Sequence, residues 1–256
     1  MKSLQEFVVN NEVFVVAHRG SSGTAPENTI AAFREAIDAG AMMLETDVQF
    51  TNDGHIVVLH DLSVIAPANN ISEEIDFTLK NLKSLDAGAW FHPKFKGERI
   101  PELRELLDLI KGKVYLNLEI KSQQTAGYED KLRQLITEIT DAGVIEQVVF
   151  ASFSYRILAL IKTINPGMHT AAIKRPDVQT LPSKICSEIG AEAFVCSIEE
   201  LNDEIAEDVK KNKLFFGIYS VDNREQLEYA LKFGVNALGT NYPAIISKEL
   251  AEIQGR

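Results

Sequence analysis

Short apolar runs alternate with amphipathic segments along the whole chain of 256 residues. The apolar runs predict eight strands, at 13–17, 42–48, 114–120, 147–151, 169–173, 193–197, 214–219 and 236–240. Helical periodicity between them predicts helices at 28–39, 101–111, 128–141, 153–163, 183–189, 199–211 and 223–233. This alternation predicts a (β/α)8 TIM barrel that forms a single domain over residues 1–256. The alternative is a doubly wound open sheet, but no GxGxxG motif follows the first strand.

A further apolar run, 56–60, does not fit the alternation. It follows the second strand after a short polar turn, and a parallel crossover needs a dozen or more residues. The two runs are therefore predicted to form an antiparallel hairpin. If Phe50 pairs with Ile56, His60 lies opposite Thr46 and beside the acidic residues of the second strand.

Residues 61–100 form a long excursion before the third barrel strand, with a short helical stretch at 78–86. Together with the hairpin they make an insertion of about residues 50–100. An insertion of this size after the second strand predicts a small cap beside the mouth of the barrel.

Ionisable residues stand at the carboxyl ends of four strand-like runs in the first half of the chain. They are His18 and Arg19, Glu45 and Asp47, His60 and Asp61, and Glu119 and Lys121. Because α/β folds place their chemistry at this edge of the sheet, these side chains are predicted to form one site.

Three carboxylates, those of Glu45, Asp47 and Glu119, are predicted to converge there. Converging carboxylates repel one another and lose hydration, and a divalent cation would resolve that conflict. Oxygen ligands favour Mg²⁺ or Ca²⁺ over zinc. The alternative is an ion-pair network in which Arg19 and Lys121 neutralise the acids.

His18 and His60 end strands on two sides of the acidic cluster. Histidine titrates at about pH 6.5, so the pair can serve as general base and general acid. Arg19 and Lys121 are suited to hold a phosphoryl group and to offset its charge in the transition state. Combined with a metal, these residues predict attack at a phosphodiester.

Composition narrows the candidate partners. A net charge of −11 disfavours a nucleic-acid footprint, which needs a basic face. The two cysteines, Cys186 and Cys196, imply no disulfide framework. No apolar stretch reaches the roughly 20 residues of a membrane span, and the N-terminus lacks a signal-peptide shape. These features predict a cytoplasmic protein and leave its oligomeric state open. Together with the predicted site, they favour a small-molecule phosphodiester as the substrate.

The ordered motifs resemble those of the glycerophosphodiester phosphodiesterases of the bacterial cytosolic type, over nearly the whole chain. The resemblance rests on His18-Arg19-Gly20, Ala25-Pro26-Glu27-Asn28-Thr29, Glu45-Thr46-Asp47-Val48, Leu59-His60-Asp61, Leu85-Asp86-Ala87-Gly88, Trp90-Phe91, Arg99-Ile100-Pro101, Glu119-Ile120-Lys121 and Ser152-Phe153.

The resemblance implies a (β/α)8 barrel that hydrolyses glycerophosphodiesters to sn-glycerol 3-phosphate and an alcohol. By position it implies Glu45, Asp47 and Glu119 as ligands of one divalent cation, Mg²⁺ or Ca²⁺. It implies His18 and His60 as the acid–base pair, without saying which is which. Arg19 and Lys121 would contact the phosphate. The adjacent glycerol hydroxyl would attack phosphorus, and water would open the resulting cyclic phosphate.

Three segments depart from the family pattern: Leu62–Pro67, Tyr219–Asp222 and Asn241. The second segment bears on the substrate wall, for which Tyr219, Trp90 and Phe91 are the candidates.

Two alternative functions remain open. One is a phosphodiesterase of the same fold acting on lysophospholipids or another diester, which would need an apolar groove at the mouth. The other is a non-catalytic phosphoester-binding barrel.

Overall fold

The computed structural model describes residues 6–8, 13–63, 65, 69, 75–121 and 127–255. Its strands are β1 (Phe14–His18), β2 (Met43–Phe50), β3 (Ile56–Val58), β4 (Tyr115–Ile120), β5 (Val148–Ser152), β6 (His169–Ile173), β7 (Ala193–Ser197), β8 (Phe215–Tyr219) and β9 (Ala237–Thr240). All except β3 are parallel neighbours, and β1 pairs with both β2 and β9, so the sheet closes. The predicted (β/α)8 barrel is confirmed. Its extent as a single domain over 1–256 stays a prediction.

Helices surround the closed sheet. They are α1 (Ile30–Asp38), α2 (Leu79–Ser84), α3 (Leu103–Ile110), α4 (Tyr128–Asp141), α5 (Tyr155–Ile164), α6 (Pro182–Ile189), α7 (Asp203–Lys211), α8 (Arg224–Leu231) and α9 (Pro243–Ile253). Each predicted helix is present, although the segment 199–211 begins as a 3₁₀ turn, Ile198–Glu200, before α7. Helix α9 was not predicted from the sequence.

The main core lies between the outer face of the sheet and the helices. Leu44, Leu116 and Phe150 are fully buried there, in one cluster with Phe33 of α1 and Leu107 of α3. Their strand neighbours alternate toward the barrel interior, as period-2 geometry requires. Burial of each such side chain contributes roughly 1.5–3 kcal/mol, so this layer fixes where the strand ends lie.

The predicted hairpin is confirmed in its register. Strand β3 runs antiparallel to β2, with Phe50 opposite Ile56 and Val48 opposite Val58. The pairing continues for one residue more, because the backbone N of Leu59 donates to the O of Asp47 at 3.0 Å. Since β1 pairs with the first half of β2 and β3 with the second half, the hairpin carries His60 back toward the end of β1.

The predicted cap after the second strand is present, and several of its residues, 64, 66–68 and 70–74, lie outside the described ranges. Its described part packs as a small separate core in which Leu82 and Leu85 contact the hairpin residues Val57 and Leu59. The cap is therefore attached to the hairpin that delivers His60. Of the departure at Leu62–Pro67, only residues 62, 63 and 65 are described.

Candidate active site

The loop after β1 begins with two residues in left-handed conformations, Arg19 (φ 56°) and Gly20 (φ 82°). Glycine is required at position 20, because a Cβ there would lie 2.7 Å from the backbone carbon of Ala32 in α1. The backbone N of Arg19 donates to both the carbonyl oxygen and the Oε2 of Glu45, each at 3.0 Å. This turn ties the end of β1 to the first of the candidate ligands.

The segment before α1 supports the second carboxylate. Asn28, also left-handed at φ 56°, donates from Nδ2 to Oδ2 of Asp47 at 3.1 Å and accepts from Oγ1 of Thr46 at 2.7 Å. Glu27 accepts from Nη1 of Arg19 at 3.1 and 3.2 Å. The Glu27-Asn28 pair therefore fixes the side chains of Asp47 and Arg19, a supporting role that the sequence reasoning did not assign.

Glu45, Asp47 and Glu119 do converge. One carboxylate oxygen from each lies within 4.8 Å of the others, so the three could hold a single metal ion. The convergence follows from the sheet register, in which Asp47 of β2 lies beside Glu119 of β4. Asp47 is fully buried and Glu45 is buried, so water does little to separate their charges.

The pKa values of the three acids are shifted in different directions by burial and by the neighbouring charges. Burial, with the charges of Asp47 and Glu119, raises the pKa of Glu45 well above its usual value of 4.5. Burial and Asp47 likewise raise the pKa of Glu119. Burial also acts upward on Asp47, but Lys121 and Arg19 outweigh it and lower the pKa of that carboxyl. The cluster therefore holds more negative charge than its two cations stabilise.

The two predicted phosphate-binding cations lie against these acids. Lys121 Nζ is 2.7 Å from Oδ1 of Asp47 and 2.6 Å from Oε1 of Glu119. Arg19 Nε is 3.3 Å from Oδ2 of Asp47. Both cations thus sit at the carboxylates rather than at the protein surface.

His18 is held by a chain of hydrogen bonds from the segments that follow β8 and β9. Its Nδ1 lies 2.8 Å from Oδ1 of Asn241, which also accepts from Oγ of Ser22 at 2.8 Å. Asn241 donates from Nδ2 to Oδ2 of Asp222 at 2.7 Å, which fixes the amide orientation. Since Oδ1 only accepts, neutral His18 carries its proton on Nδ1 and leaves the lone pair on Nε2, 3.9 Å from Glu45.

The environment of His18 favours that neutral form. Burial and the adjacent Arg19 charge lower its pKa, against the smaller opposing effects of the Asn241 hydrogen bond and of Asp47. A histidine that is neutral near pH 7, with its free lone pair facing the carboxylate cluster, has the form of a general base.

His60 is oriented by the residue that follows it. Its Nδ1 lies 2.7 Å from Oδ2 of Asp61, whose Oδ1 accepts from the backbone N of Ser63 at 2.7 Å. The side-chain amide of Gln49 donates to the carbonyl oxygen of His60 at 2.6 Å and so holds the backbone of the hairpin end. Asp61 leaves Nε2 as the ring nitrogen available for exchange with a ligand.

Seven of the predicted site residues line one cavity of about 430 Å³ at the barrel mouth and below it: His18, Arg19, Glu45, His60, Glu119, Lys121 and Tyr219. Asp47 is fully buried behind this lining. Trp90 instead lines a smaller recess beside His60 and Asp61. Phe91 packs edge-on against Trp90 at 5.5 Å and lines neither cavity. The roles of all these residues, including the substrate wall, stay predictions.

Two further residues of the site, Asn241 and Asn117, had no role in the sequence analysis. Asn241 was noted as a departure, and its contact with His18 joins positions 223 residues apart, which no local pattern reveals. Asn117 faces the cavity beside Glu45 in the register of β2 and β4. Among the described residues, no donor reaches its buried Oδ1.

The glycerophosphoryl diester phosphodiesterase family model matches residues 18–245. The chain belongs to this family. A glycerophosphodiester phosphodiesterase of Caldanaerobacter subterraneus subsp. tengcongensis is 37% identical over 235 residues, which are 91% of this chain and 95% of the relative. A glycerophosphodiester phosphodiesterase of Bacillus subtilis is 30% identical over 256 residues, which cover 93% of this chain and 86% of the relative. As a member of the glycerophosphoryl diester phosphodiesterase family, the protein is an enzyme.

Solved structures share the fold of this family member. A phosphodiesterase of Oleispira antarctica, determined in complex with the product sn-glycerol-3-phosphate, has a TM-score of 0.83 at 24% identity and covers 93% of this chain and 96% of its own. A glycerophosphodiester phosphodiesterase of Agrobacterium tumefaciens has a TM-score of 0.78 at 24% identity and covers 92% of this chain and 99% of its own. Over the described residues, this family member has no helix long and apolar enough to cross a membrane.

Proposed function

We propose that the protein hydrolyses glycerophosphodiesters to sn-glycerol 3-phosphate and an alcohol, in a reaction that depends on one divalent cation. The observation that carries this proposal is the carboxylate triad of Glu45, Asp47 and Glu119 at the barrel mouth, with His18 and His60 lining the same cavity. Membership of the family and the relatives' names support the substrate class.

The residues present fit a hard divalent cation. Three carboxylates share a buried space with more negative charge than Lys121 and Arg19 neutralise. The side-chain Oδ1 of Asn117 is buried beside them, and no donor in the described part of the chain reaches it. An oxygen-only donor set suits Mg²⁺ or Ca²⁺. When bound, such an ion lowers the pKa of a coordinated hydroxyl and polarises a phosphoryl oxygen.

Proton transfer is proposed for the two histidines. His18 presents an unprotonated Nε2 toward the cluster, so it takes the proton of the attacking glycerol hydroxyl. In the proposed cycle, His60 starts with a proton on both ring nitrogens, donates from Nδ1 to Asp61, and gives its Nε2 proton to the leaving alcohol. The roles reverse when water opens the cyclic phosphate, so each histidine ends in its starting state.

Arg19 and Lys121 are proposed to bind the phosphate. Both are already held over the carboxylates by short ion pairs, so little side-chain freedom is lost when a phosphate binds. Their positive charges oppose the repulsion between the acidic cluster and an anionic substrate. They also offset charge that develops on the phosphoryl oxygens in the transition state.

The decisive assay is release of sn-glycerol 3-phosphate from glycerophosphocholine by purified protein, in EDTA and then with Mg²⁺ or Ca²⁺ added. We expect turnover that EDTA abolishes and one of the two metals restores. His18→Ala should lose turnover while Tyr219→Trp retains it. Folded protein that releases no product with either metal would favour the non-catalytic phosphoester-binding alternative.

A further inference from the structure

Asn117 lies inside the barrel, directly below Glu119 on the same strand. It precedes Glu119 by two residues in β4, so both side chains point into the barrel, and a rise of about 3.3 Å per residue places Asn117 roughly 7 Å deeper along the strand. In the sheet, Asn117 is paired with Glu45 of β2. Its amide therefore lines the part of the cavity that lies beneath the carboxylates.

The walls beside Asn117 are apolar, apart from Glu45. On the adjacent strands β2 and β5, the other lining residues at its register or below it are Met43 and Val149, and Val16 of β1 pairs with Met43. Small side chains on β7 and β8 keep the cavity open farther round the barrel: Ala193 and Gly217. One amide thus stands in an apolar wall with open space in front of it.

This amide has an unsatisfied oxygen. No donor in the described part of the chain reaches Oδ1 of Asn117, and a buried polar group without a hydrogen bond lowers stability. A leucine of nearly the same shape would avoid that cost. A cation held by the three acids is centred above the amide, because Asp47 and Glu119 lie two residues further along their strands. A group of the substrate is therefore the partner that fits this depth.

The glycerol half of a glycerophosphodiester can supply that partner. With the phosphate at Arg19 and Lys121 and the attacking C2 hydroxyl at the acids, C1 is the glycerol carbon farthest from the phosphate. Its oxygen is the remaining polar atom of the glycerol. Rotation about the Cβ–Cγ bond of Asn117 presents either Oδ1 or Nδ2, and a hydroxyl both donates and accepts, so the two groups match.

We propose that Asn117 binds the C1 oxygen of the glycerol half and thereby selects glycerol diesters over diesters of smaller diols. The inference rests on the proposed function and names a specificity-determining residue for the same site. The contact holds the glycerol with its C2 hydroxyl toward the acids and His18, so more of the bound substrate is positioned for attack. A substrate without the C1 oxygen leaves the amide unpaired in an apolar wall and reacts less well.

The test pairs a change in the enzyme with the matching change in the substrate. Glycerophosphocholine is compared with the phosphocholine diester of propane-1,2-diol, which has the same C2 configuration, keeps the attacking hydroxyl and lacks only the C1 oxygen. Asn117→Leu replaces the amide by an apolar group of similar size. Val149→Ala, at the paired position of β5 in the same cavity, is the matched control because it removes volume and no hydrogen bond.

The kcat/KM of each enzyme on the two diesters decides the contact. The wild-type enzyme should prefer glycerophosphocholine by at least about tenfold. Asn117→Leu should lose about that factor on glycerophosphocholine and little on the analogue, so that the preference disappears, whereas Val149→Ala should keep it. Equal losses of Asn117→Leu on both diesters, which a structural role would give, would overturn the proposal, as would a wild-type enzyme without the preference.

Calorimetric titration with Mg²⁺ or Ca²⁺ distinguishes a contact to the substrate from one to the cation. Asn117→Leu should bind the cation that supports turnover with the affinity of the wild type. A large loss of cation affinity in this variant would assign the amide to the cation and overturn the contact to glycerol.

If the wild-type enzyme hydrolyses no diester, the proposed function has failed and binding decides the role of Asn117 separately. sn-Glycerol 3-phosphate and its analogue without the C1 oxygen are then titrated into the cation-loaded protein. Weaker binding of the analogue to the wild type, with no such difference in Asn117→Leu, supports the contact. Equal binding of the two compounds to the wild type, or binding of neither, rejects it.

Discussion

At the scale of single residues, the role of His18 can be tested by exchanging the side chains of Asp222 and Asn241. Asn241→Asp alone would put a carboxylate 2.7 Å from Asp222 and should destabilise the protein. The double variant Asp222→Asn, Asn241→Asp restores a donor–acceptor pair and places the negative charge beside Nδ1 of His18. That charge stabilises the imidazolium, so the pKa of His18 should rise.

In a pH profile of kcat/KM, a raised pKa of His18 moves the limb that His18 controls to higher pH. Because His18 is proposed as the base, the acidic limb should shift upward by about one pH unit while the alkaline limb stays in place. A shift of the alkaline limb instead would exchange the roles of the two histidines. The single variant Asp222→Asn serves as the control for loss of the carboxylate alone.

Substitution of Lys121 distinguishes a metal site from a purely structural ion-pair network. Its ammonium competes with a cation for Asp47 and Glu119, so Lys121→Met should raise affinity for Mg²⁺ or Ca²⁺ at least about tenfold. Turnover should fall because the proposed contact of Lys121 with the phosphate is lost. Lys248→Met, on a lysine that is 78% exposed, should change neither quantity.

Calorimetric titration of the metal-loaded and metal-free proteins measures the first effect, and steady-state kinetics measures the second. A structural network gives a different result: loss of stability in Lys121→Met, with no tight cation binding in either protein.

At the scale of elements, the sequence could predict the strands, most helices and the hairpin register, because strand alternation and turn length determine them. It missed α9 since two apolar residues there, Ile245 and Ile253, are 48% and 39% exposed and blur the helical periodicity. It could not predict the link between His18 and Asn241, because local patterns do not say which distant loops meet. The sequence could not predict the cavity either, because small residues in strands give the same pattern whether or not other side chains pack against them.

The packing of α1 on β1 depends on Gly20. Gly20→Ala should cost about 3 kcal/mol, from about 1–2 kcal/mol of left-handed strain plus overpacking against the α1 backbone at 2.7 Å. Gly40→Ala is a matched control, because Gly40 has the same φ of 82° but nothing within 4 Å of an added Cβ. It should cost only the strain.

Urea unfolding of the two variants measures the difference. Gly20→Ala should also lose activity, since the shift of α1 displaces Asn28 and Arg19 from Asp47. Equal free-energy costs in the two variants would show that the close approach of α1 does not constrain the loop after β1.

At the scale of the whole molecule, the buried carboxylates should make stability depend on pH and on the cation together. The pKa values of Glu45 and Glu119 are raised in the folded protein, so their protonated forms stabilise it below about pH 4.5, and this stability is lost as pH rises through the folded pKa values. Asp47 has the opposite effect. Its pKa is lowered, so the stability that its carboxylate contributes is lost only as pH falls below the usual value of 3.8. Above pH 4.5, the two glutamates therefore make metal-free protein lose stability with rising pH, while the lowered pKa of His18 opposes this loss up to the usual histidine value of 6.5.

A divalent cation should reverse that loss, because it binds the ionised carboxylates. At a cation concentration of about 100 times Kd the gain is about 2.7 kcal/mol, or roughly 5–10 °C in Tm for a chain of this size. The difference in Tm between Mg²⁺ or Ca²⁺ and EDTA should thus widen from pH 4.5 to pH 8. Glu45→Gln, which cannot ionise, should flatten the loss in EDTA and shrink the gain from the cation. A Tm that is the same with and without cation at every pH would instead identify the cluster as an ion-pair network of Arg19 and Lys121 with the acids.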